Sequence, residues 1–265
     1  MHKFDNSWLY KREKIDHSSK NLKIIDKINS RIKDLETLNV LDLGTGTGSN
    51  FRFLSKKIKH KNQSWTLMDI SRSSLSEARK NTILNNKIKK VSLKHNDIIK
   101  DIKKTNFNQF DLVTGSAFLD IMPHKWFKDF HSLNQNTKII YFSINYDGYF
   151  KFQPHHSLDN NMLQLFNNDQ QSKKDGIVKA VGPDCSEIIK SYFSKTHKTF
   201  LLNSNWIDIK NKKFQLMFLD FCKNVINNNN KKNTLDKWIE FKKEKILKNK
   251  SKLNVLNKDF LAIKI

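Results

Sequence analysis

The 265-residue chain is poor in the residues that cross-link or break a backbone. Its two cysteines, Cys185 and Cys222, give neither a disulfide framework nor zinc-ligand spacing. Three prolines and seven glycines exclude a collagen-like or low-complexity linker composition. No stretch approaches the roughly 18 uncharged apolar residues that cross a bilayer. The N-terminus, "MHKFDNSWLYKREK", lacks the apolar core of a signal peptide. Arginine is scarce as well: five of the 49 basic residues are Arg (12, 31, 52, 72 and 79) and 44 are Lys. These absences lead us to expect a cytoplasmic protein with reduced thiols and no membrane partner.

The net charge of +23 raises the question of a nucleic-acid partner. Phosphate and base-edge recognition favours the arginine fork, whereas lysine is a hydrated point charge that suits any exposed surface. The lysines are spread along the chain among many Asn and Ile, as in "NNNNKKN" at 227–233. That spread has the character of an AT-rich coding bias, although it also suits the steering of an anionic small molecule. With 37 % apolar and 28 % charged residues, the chain reads as one globular domain over 1–265.

Apolar spacing predicts two helices over 5–35, with Trp8, Leu9 and Ile15 on one face and Leu22, Ile25, Ile28 and Ile32 on the next. We take 1–36 as an N-terminal helical cap. Strands are expected at 38–43, 64–69, 90–94, 109–114 and 137–143, with helices at 48–58, 72–85, 97–103 and 124–133 between them. Such alternation builds right-handed parallel units and a doubly wound sheet. Residues 144–182 read as a long excursion carrying Tyr146, Tyr149, Phe150, Phe152 and a helix at 157–171. We take it as a substrate-lid insertion. A helix at 183–194, a strand at 198–204, two amphipathic helices joined by a solvated turn near 227–234, and a closing strand "DFLAIKI" complete the chain. That strand has no helix after it and is free to lie antiparallel.

Three of the seven glycines stand in "VLDLGTGTGSN", residues 40–50, between an apolar strand and a helix. Glycine there permits positive φ and a close approach of ligand to backbone. The dinucleotide fingerprint spaces its glycines G-x-G-x-x-G around a pyrophosphate, but here the spacing is G-x-G-x-G. Asp42 precedes the first glycine; a carboxylate there repels pyrophosphate and accepts hydrogen bonds from a cationic amino-acid group. The ligand expected is a nucleoside at one end and a zwitterion at the other.

"VLDLGTGTGSN" resembles the first motif of the class I S-adenosylmethionine-dependent methyltransferases, and "WTLMD" at 65–69 resembles the second. "LKHNDII" at 93–99 and "FDLVTGSAFLD" at 110–120 are similar to the third and fourth. The resemblance spans about 38–143 and implies a seven-stranded sheet of order 3-2-1-4-5-7-6 with the last strand antiparallel. It implies S-adenosylmethionine as cofactor and S-adenosylhomocysteine as product. Asp42, Gly44, Gly46 and Gly48 then take the methionine end, and Asp69, with Ile70 beside it, the ribose hydroxyls. Asn96 and Asp97 fall beside the adenine, and Gly115 and Ser116 beneath the methionine. A plainer alternative stands at two of these positions: Ser71 or Asp69 as cap of the following helix, and Asp97 as a turn residue. A looser similarity links "FNNDQQSKKDGIVKAVGP" to a bacterial subfamily with F-N-x-x-Q and G-P elements. This sequence departs from it by one extra residue and by Asp169 in place of histidine.

Methyl transfer needs alignment, desolvation and, for some acceptors, removal of a proton. Asp120, His124 and Tyr146 are the catalytic candidates near the ends of the fourth and fifth strands. Asp147, Asn167 and Gln170 are the substrate candidates. The chain lacks the (D/N/S)-P-P-(Y/F) motif of base exocyclic-amine methylation, and neither cysteine stands where carbon-5 pyrimidine methylation needs one. His155 and His156 are adjacent and point to opposite faces of an extended segment, so no metal site is expected. A small metabolite methylated on oxygen or nitrogen is therefore the expected acceptor, with RNA as the alternative. An NAD(P)-dependent oxidoreductase and a non-catalytic S-adenosylmethionine-binding module are the readings of other classes.

Overall fold

The computed structural model describes residues 6–82, 86–171, 179–226 and 232–265. Parts of three expected features lie outside them: the loop over 172–178, the inter-helix turn over 227–231 and the last residues, 83–85, of the helix expected at 72–85. Two helices open the chain, α1 (Asn6–Ser19) and α2 (Leu22–Ile32). The alternation follows as β1 (Leu38–Leu43), α3 (Ser49–Lys57), β2 (Gln63–Asp69), α4 (Arg72–Lys80), β3 (Ile88–His95), β4 (Leu112–Ser116), α5 (His124–Leu133) and β5 (Ile139–Gln153). Then come α6 (Asp159–Gln170), α7 (Cys185–Phe193), β6 (His197–Asn203), β7 (Trp206–Ile209), α8 (Lys212–Ile226), α9 (Lys232–Leu247) and β8 (Lys252–Lys264).

Among the described residues the strands form one eight-stranded sheet of order β3-β2-β1-β4-β5-β8-β6, with β7 also paired to β8. The β1–β5 pairings are parallel, and β8 is antiparallel to its neighbours. The expected order is thus present, with the closing strand between β5 and β6. The eighth strand is the addition: β7 is four residues long, and its Ile207 points outward, 69 % exposed.

Alternate residues of each strand feed two cores. On one face Leu38, Val40, Trp65, Leu67 and Tyr141 meet Ile24, Ile25, Ile28 and Ile32 of α2 and Phe51 and Leu54 of α3. Leu22 does not belong to that face; it is 53 % exposed, and Ile24 takes the buried position. On the other face Leu41, Leu43, Val113, Ile140 and Phe142 meet Trp126, Phe127 and Phe130 of α5 and Ile189 and Phe193 of α7.

The fifth strand is longer than its expected span of 137–143, for it continues to Gln153 against β8. Register shifts between Phe142 and Asn145 and between Tyr146 and Phe150 break the two-residue alternation. At the first, Ile144 takes a φ of 54° and donates its N–H to Asp259 Oδ1 at 2.9 Å. Bulges bend a strand and disturb its hydrophobic pattern, which is why this part reads as irregular. The stretch expected as a helix at 97–103 is instead a single 3₁₀ turn, Ile102–Lys104.

The extended β5–β8 ribbon carries a third core. Phe150, Phe152, Phe166, Trp206, Phe214, Phe218 and Trp238 fill it, with Trp8 of α1 packed alongside. Phe218 lies 5.4 Å from Phe150, 6.0 Å from Phe152 and 6.2 Å from Trp206 between ring centroids. Such a buried aromatic has little room to collapse when deleted. The Phe218→Ala protein is expected to lose about 3–5 kcal/mol of unfolding free energy, read from urea denaturation; a loss below ~1 kcal/mol refutes a packed third core.

Candidate active site

The turn after β1 exists because glycine accepts backbone angles that other residues resist. Gly44 has φ 60° and Gly46 φ 54°. A Cβ on Gly44 would stand 2.5 Å from Phe118 Cδ2, and one on Gly46 3.0 Å from Leu9 Cδ1. The bare backbone is therefore matched first by the chain's own side chains, one from the β4 end and one from α1. Phe118 reaches Gly44 after Ala117, whose φ is 50° and whose N–H donates to Ser143 O at 2.8 Å. Gly48 is the N-cap of α3. A cavity of about 510 Å³ opens against Gly44, Thr45, Gly46 and Thr47, within the size range of small-molecule sites.

Asp42 does not stand on the wall of that cavity, contrary to the direct contact expected of it. It is fully buried beneath the turn, where its carboxylate accepts Thr45 Oγ1 at 2.6 Å and Asn50 Nδ2 at 2.7 Å. Asn50 Nδ2 also reaches Thr114 Oγ1 at 3.2 Å, and Asn50 Oδ1 accepts Lys20 Nζ at 2.6 Å. Burial pushes Asp42 up to about 6 and Lys20 down to about 8. Asp42 thus shapes the turn, and its partners Thr45 and Asn50 reach the cavity.

Asp69 ends β2 on the cavity wall. Its Oδ2 accepts Gly46 N and its Oδ1 accepts Ser71 N, each at 2.8 Å. Burial raises its pKa, and the N–H groups of Ser71 and Gly46 oppose the rise. The cap of α4 is Ser71, whose Oγ accepts Ser74 N at 3.2 Å, so Asp69 is not needed for that task. Ile70, Asn96 and Asp97 also line the cavity. Asn96 N donates to Asp69 O at 3.0 Å, fixing the end of β3 against that of β2. Asp97 serves its turn as well, since its Oδ1 accepts Ile99 N at 3.0 Å and Lys100 N at 3.2 Å.

At the end of β4, Ser116 lines the cavity and accepts Ser143 Oγ at 3.1 Å. Gly115 is off the wall; a Cβ there would meet Leu43 O at 2.9 Å, so it serves strand packing. The acceptor candidates do not converge on the cavity. His124 is exposed at the start of α5, its ring 6.4 Å from that of Tyr192. Tyr146 OH donates to Asn167 Oδ1 at 2.8 Å, and Asn167 Nδ2 donates to Gly148 O at 2.8 Å. Burial lifts the Tyr146 pKa far above its ordinary value. Asp147 pairs with Lys258 at 3.0 Å. Gln170 packs beside Gly182. Asp120 lies on the 3₁₀ turn Leu119–Ile121, whose Ile121 and neighbours Phe118 and Met122 are wall residues. The residue is half-buried, yet its Oδ1 is sealed from solvent and has no hydrogen-bond partner among the described residues. Burial pushes Asp120 up to about 6. Among the described residues no group of three His, Cys, Asp or Glu is placed to hold a metal ion.

Sequence reasoning expected the N-terminal helices as a cap but named none of their residues as part of the site. Asn6, Leu9, Arg12 and Asp16 of α1 line the cavity. Arg52 fixes the helix by donating to both oxygens of Glu13, at 2.9 and 2.5 Å. His17 Nε2 lies 3.0 Å from Ser49 O, and Tyr10 OH donates to Glu77 at 2.9 Å. The signal present in the sequence was Arg12 four residues before Asp16, an i,i+4 pair on one helix face.

A glycine turn, an acid-ended second strand and a cavity at the carboxyl ends of β1, β2 and β4 define a nucleotide-binding α/β domain of the doubly wound type. The family model described as "Methyltransferase domain" matches residues 40–136, the part that carries these features. Over that stretch the chain is similar to a methyltransferase domain, and the sheet around it has the doubly wound order. No curated protein matches the sequence. Among solved structures, YcgJ from Bacillus subtilis shares the fold at 12 % identity and TM-score 0.51, over 92 % of this chain and 99 % of that one. MccD aligns at 18 % identity and TM-score 0.46, over 91 % and 96 % of the two chains. The plantazolicin methyltransferase BpumL, in complex with SAH, aligns at 12 % identity and TM-score 0.47, over 98 % and 89 %.

The turn geometry yields a direct test. Gly44→Ala combines positive-φ strain with a steric clash, and is expected to cost about 2–4 kcal/mol in denaturant unfolding. Adding Phe118→Ala should cost less in the Gly44→Ala background than alone, because the clash has gone. Strictly additive costs would show that the ring does not rest on the turn.

Proposed function

We propose that the protein transfers a methyl group from S-adenosylmethionine to oxygen or nitrogen of a small acceptor. The observation that carries this reading is the cavity itself, with a glycine turn as one wall and the Asp69 carboxylate as another. Its residues suit the cofactor. Asp69 has lone pairs left after its two backbone bonds and is matched to a ribose diol, with Ile70 beside it. Asn96 and Asp97 fit the adenine end. The turn residues 44–48 and Ser116 fit the methionine end, and Thr47 Oγ1 is buried there without a partner among the described residues. When bound, S-adenosylmethionine supplies an electrophilic methyl group on a sulfonium sulfur.

The acceptor then enters past Ser116, Ala117, Phe118, Ile121 and Met122, opposite Arg12. Helix α1 serves as the cap, and the described residues 144–171 and 179–182 border the acceptor side, with Tyr146, Asp147, Asn167 and Gln170 shaping it. His124, on the exterior, is a weaker candidate than Asp120 for handling a proton. The RNA alternative draws on the net charge of +23, but a single cation, Arg12, is found on the described cavity wall. No helix among the described residues is long and apolar enough to cross a membrane, and we take the protein to act in the cytoplasm.

Loss of one charge-assisted bond costs about 1.5–3 kcal/mol, so Asp69→Asn should weaken S-adenosylhomocysteine binding by roughly 10- to 100-fold in calorimetry. A variant that stays folded by circular dichroism and binds as tightly as the parent refutes the assignment.

A further inference from the structure

The amino-acid end of S-adenosylmethionine is a zwitterion, and Asp42, the residue expected to meet it, lies beneath the turn and off the wall. The turn itself has few donors to spare. Thr45 N is spent on Met68 O at 3.0 Å, Gly46 N on Asp69 Oδ2 at 2.8 Å and Gly48 N on Thr45 O at 2.9 Å. Asn50 Nδ2 is shared between Asp42 and Thr114. A carboxylate that leaves water for such a cavity is best offset by a charged donor. Among the described wall residues that cation is Arg12.

Arg12 has one arm of its fork to spare. Nε donates to Asp16 Oδ2 at 2.8 Å and Nη2 to Asp16 Oδ1 at 3.4 Å, whereas Nη1 has no hydrogen-bond partner among the described residues. The side chain keeps 14 % of its surface open. Its guanidinium stands 5.1 Å from the Trp206 ring and 5.8 Å from that of Trp8, and Trp206 Nε1 donates to Asp16 Oδ1 at 3.1 Å. The fork is thus held in place before a ligand arrives, which lowers the ordering cost of binding. Asp16 also offsets its charge, and a neutral ion pair suits a ligand end that is itself neutral overall.

The course of α1 agrees with this placement. Asn6 Oδ1 accepts Ser74 Oγ at 3.0 Å, next to the Ser71 cap that adjoins Asp69, so the helix begins at the ribose end. Leu9 then stands over Gly46. Beyond Arg12, Glu13 is tied to Arg52 and His17 lies on Ser49 at the start of α3. From Asn6 to Arg12 the helix axis advances about 9 Å, comparable with the extended arm that joins ribose to carboxylate in the cofactor.

We infer that Arg12 receives the carboxylate of the cofactor's amino-acid end, with Asp16 as the residue that positions its guanidinium. The inference rests on the methyltransferase reading above. It makes α1 a selective wall, which separates a nucleoside carrying the amino-acid arm from one without it.

Calorimetry on the full chain tests this with S-adenosylhomocysteine and with methylthioadenosine, which keeps the nucleoside and the sulfur but lacks the amino-acid group. Arg12→Gln should weaken S-adenosylhomocysteine binding by about 10- to 100-fold, as expected for a lost charge-assisted bond, and leave methylthioadenosine binding within about twofold. Arg12→Lys, which keeps the charge without the fork, should show a smaller loss confined to the same ligand. An equal loss for both ligands would mark Arg12 as a structural residue and overturn the inference, as would an unchanged affinity for S-adenosylhomocysteine. If Arg12→Gln fails to fold, the two affinities of Arg12→Lys decide by the same comparison. Failure of the parent to bind either nucleoside would instead strike the methyltransferase reading.

Discussion

The shape of the site depends on one buried carboxylate. Asp42 ends β1 with no access to solvent and organises two neighbours at once: Thr45 in the turn and Asn50 in the first turn of α3. Asn50 then receives Lys20, one residue beyond the end of α1. The end of the first helix and the Asp42–Asn50 turn are thereby fixed to a common point beneath the cavity. A side chain of this kind has to be satisfied completely, since an unpaired carboxylate in such a place costs far more than its bonds return. The bonds at 2.6 and 2.7 Å partner both oxygens, and burial keeps Asp42 off the cavity wall.

Helix α1 is held from both sides, and this makes it a wall and not a loose arm. Toward the sheet it is tied through Arg52 to Glu13 and through His17 to Ser49. Toward the third core, Trp8 stacks on Phe214 at 5.8 Å, and Asp16 holds Trp206. Trp206 belongs to β7, the strand that exists because β5 and β8 extend beyond the length needed for the sheet. The extension of two strands, the aromatic cluster they carry and the position of Arg12 are therefore consecutive links of one chain. A fold without the ribbon would have no surface on which to seat the outer side of α1.

The strand–helix alternation was legible because its signals are local, while the sheet order was implied by the resemblance of the motifs. Apolar runs such as "VLDL" followed by amphipathic helices announce parallel units, and the glycines of 44–48 mark the turn by their spacing. That Asp69, Ile70, Asn96 and Asp97 line the cavity was legible for the same reason, since they follow strand ends and reach the wall with them. The depth of Asp42 was not legible, because a strand-end aspartate reads alike whether it faces the ligand or the protein. Nor was the acceptor side. Tyr146 and Asp147 lie near the expected strand end, but the register shift at 142–145 and the continued pairing of β5 direct them to Asn167 and Lys258. The N-terminal helices were expected as a cap, but which residues of α1 face the cavity depends on how its other side seats on the aromatic cluster of the ribbon, which no window of sequence contains.

The Lys20–Asn50–Asp42 chain also shows what is given up for that geometry. Asp42 is raised to about 6 from 3.8, so its contribution to stability is full below its unfolded value and is lost as pH rises through about 6. Lys20 is lowered to about 8 from 10.5, so its contribution is full above its unfolded value and is lost as pH falls through about 8. Between those two values both groups are charged, and each is charged against the preference of its surroundings. Neutral pH is thus where burial of this pair costs most, offset by their mutual attraction and by the Asn50 amide between them. A stability optimum would replace the pair with apolar side chains of similar volume. What the charged chain provides in return is direction: Asn50 can present its amide to the cavity in one orientation only, because its oxygen is held by the ammonium and its nitrogen by the carboxylate.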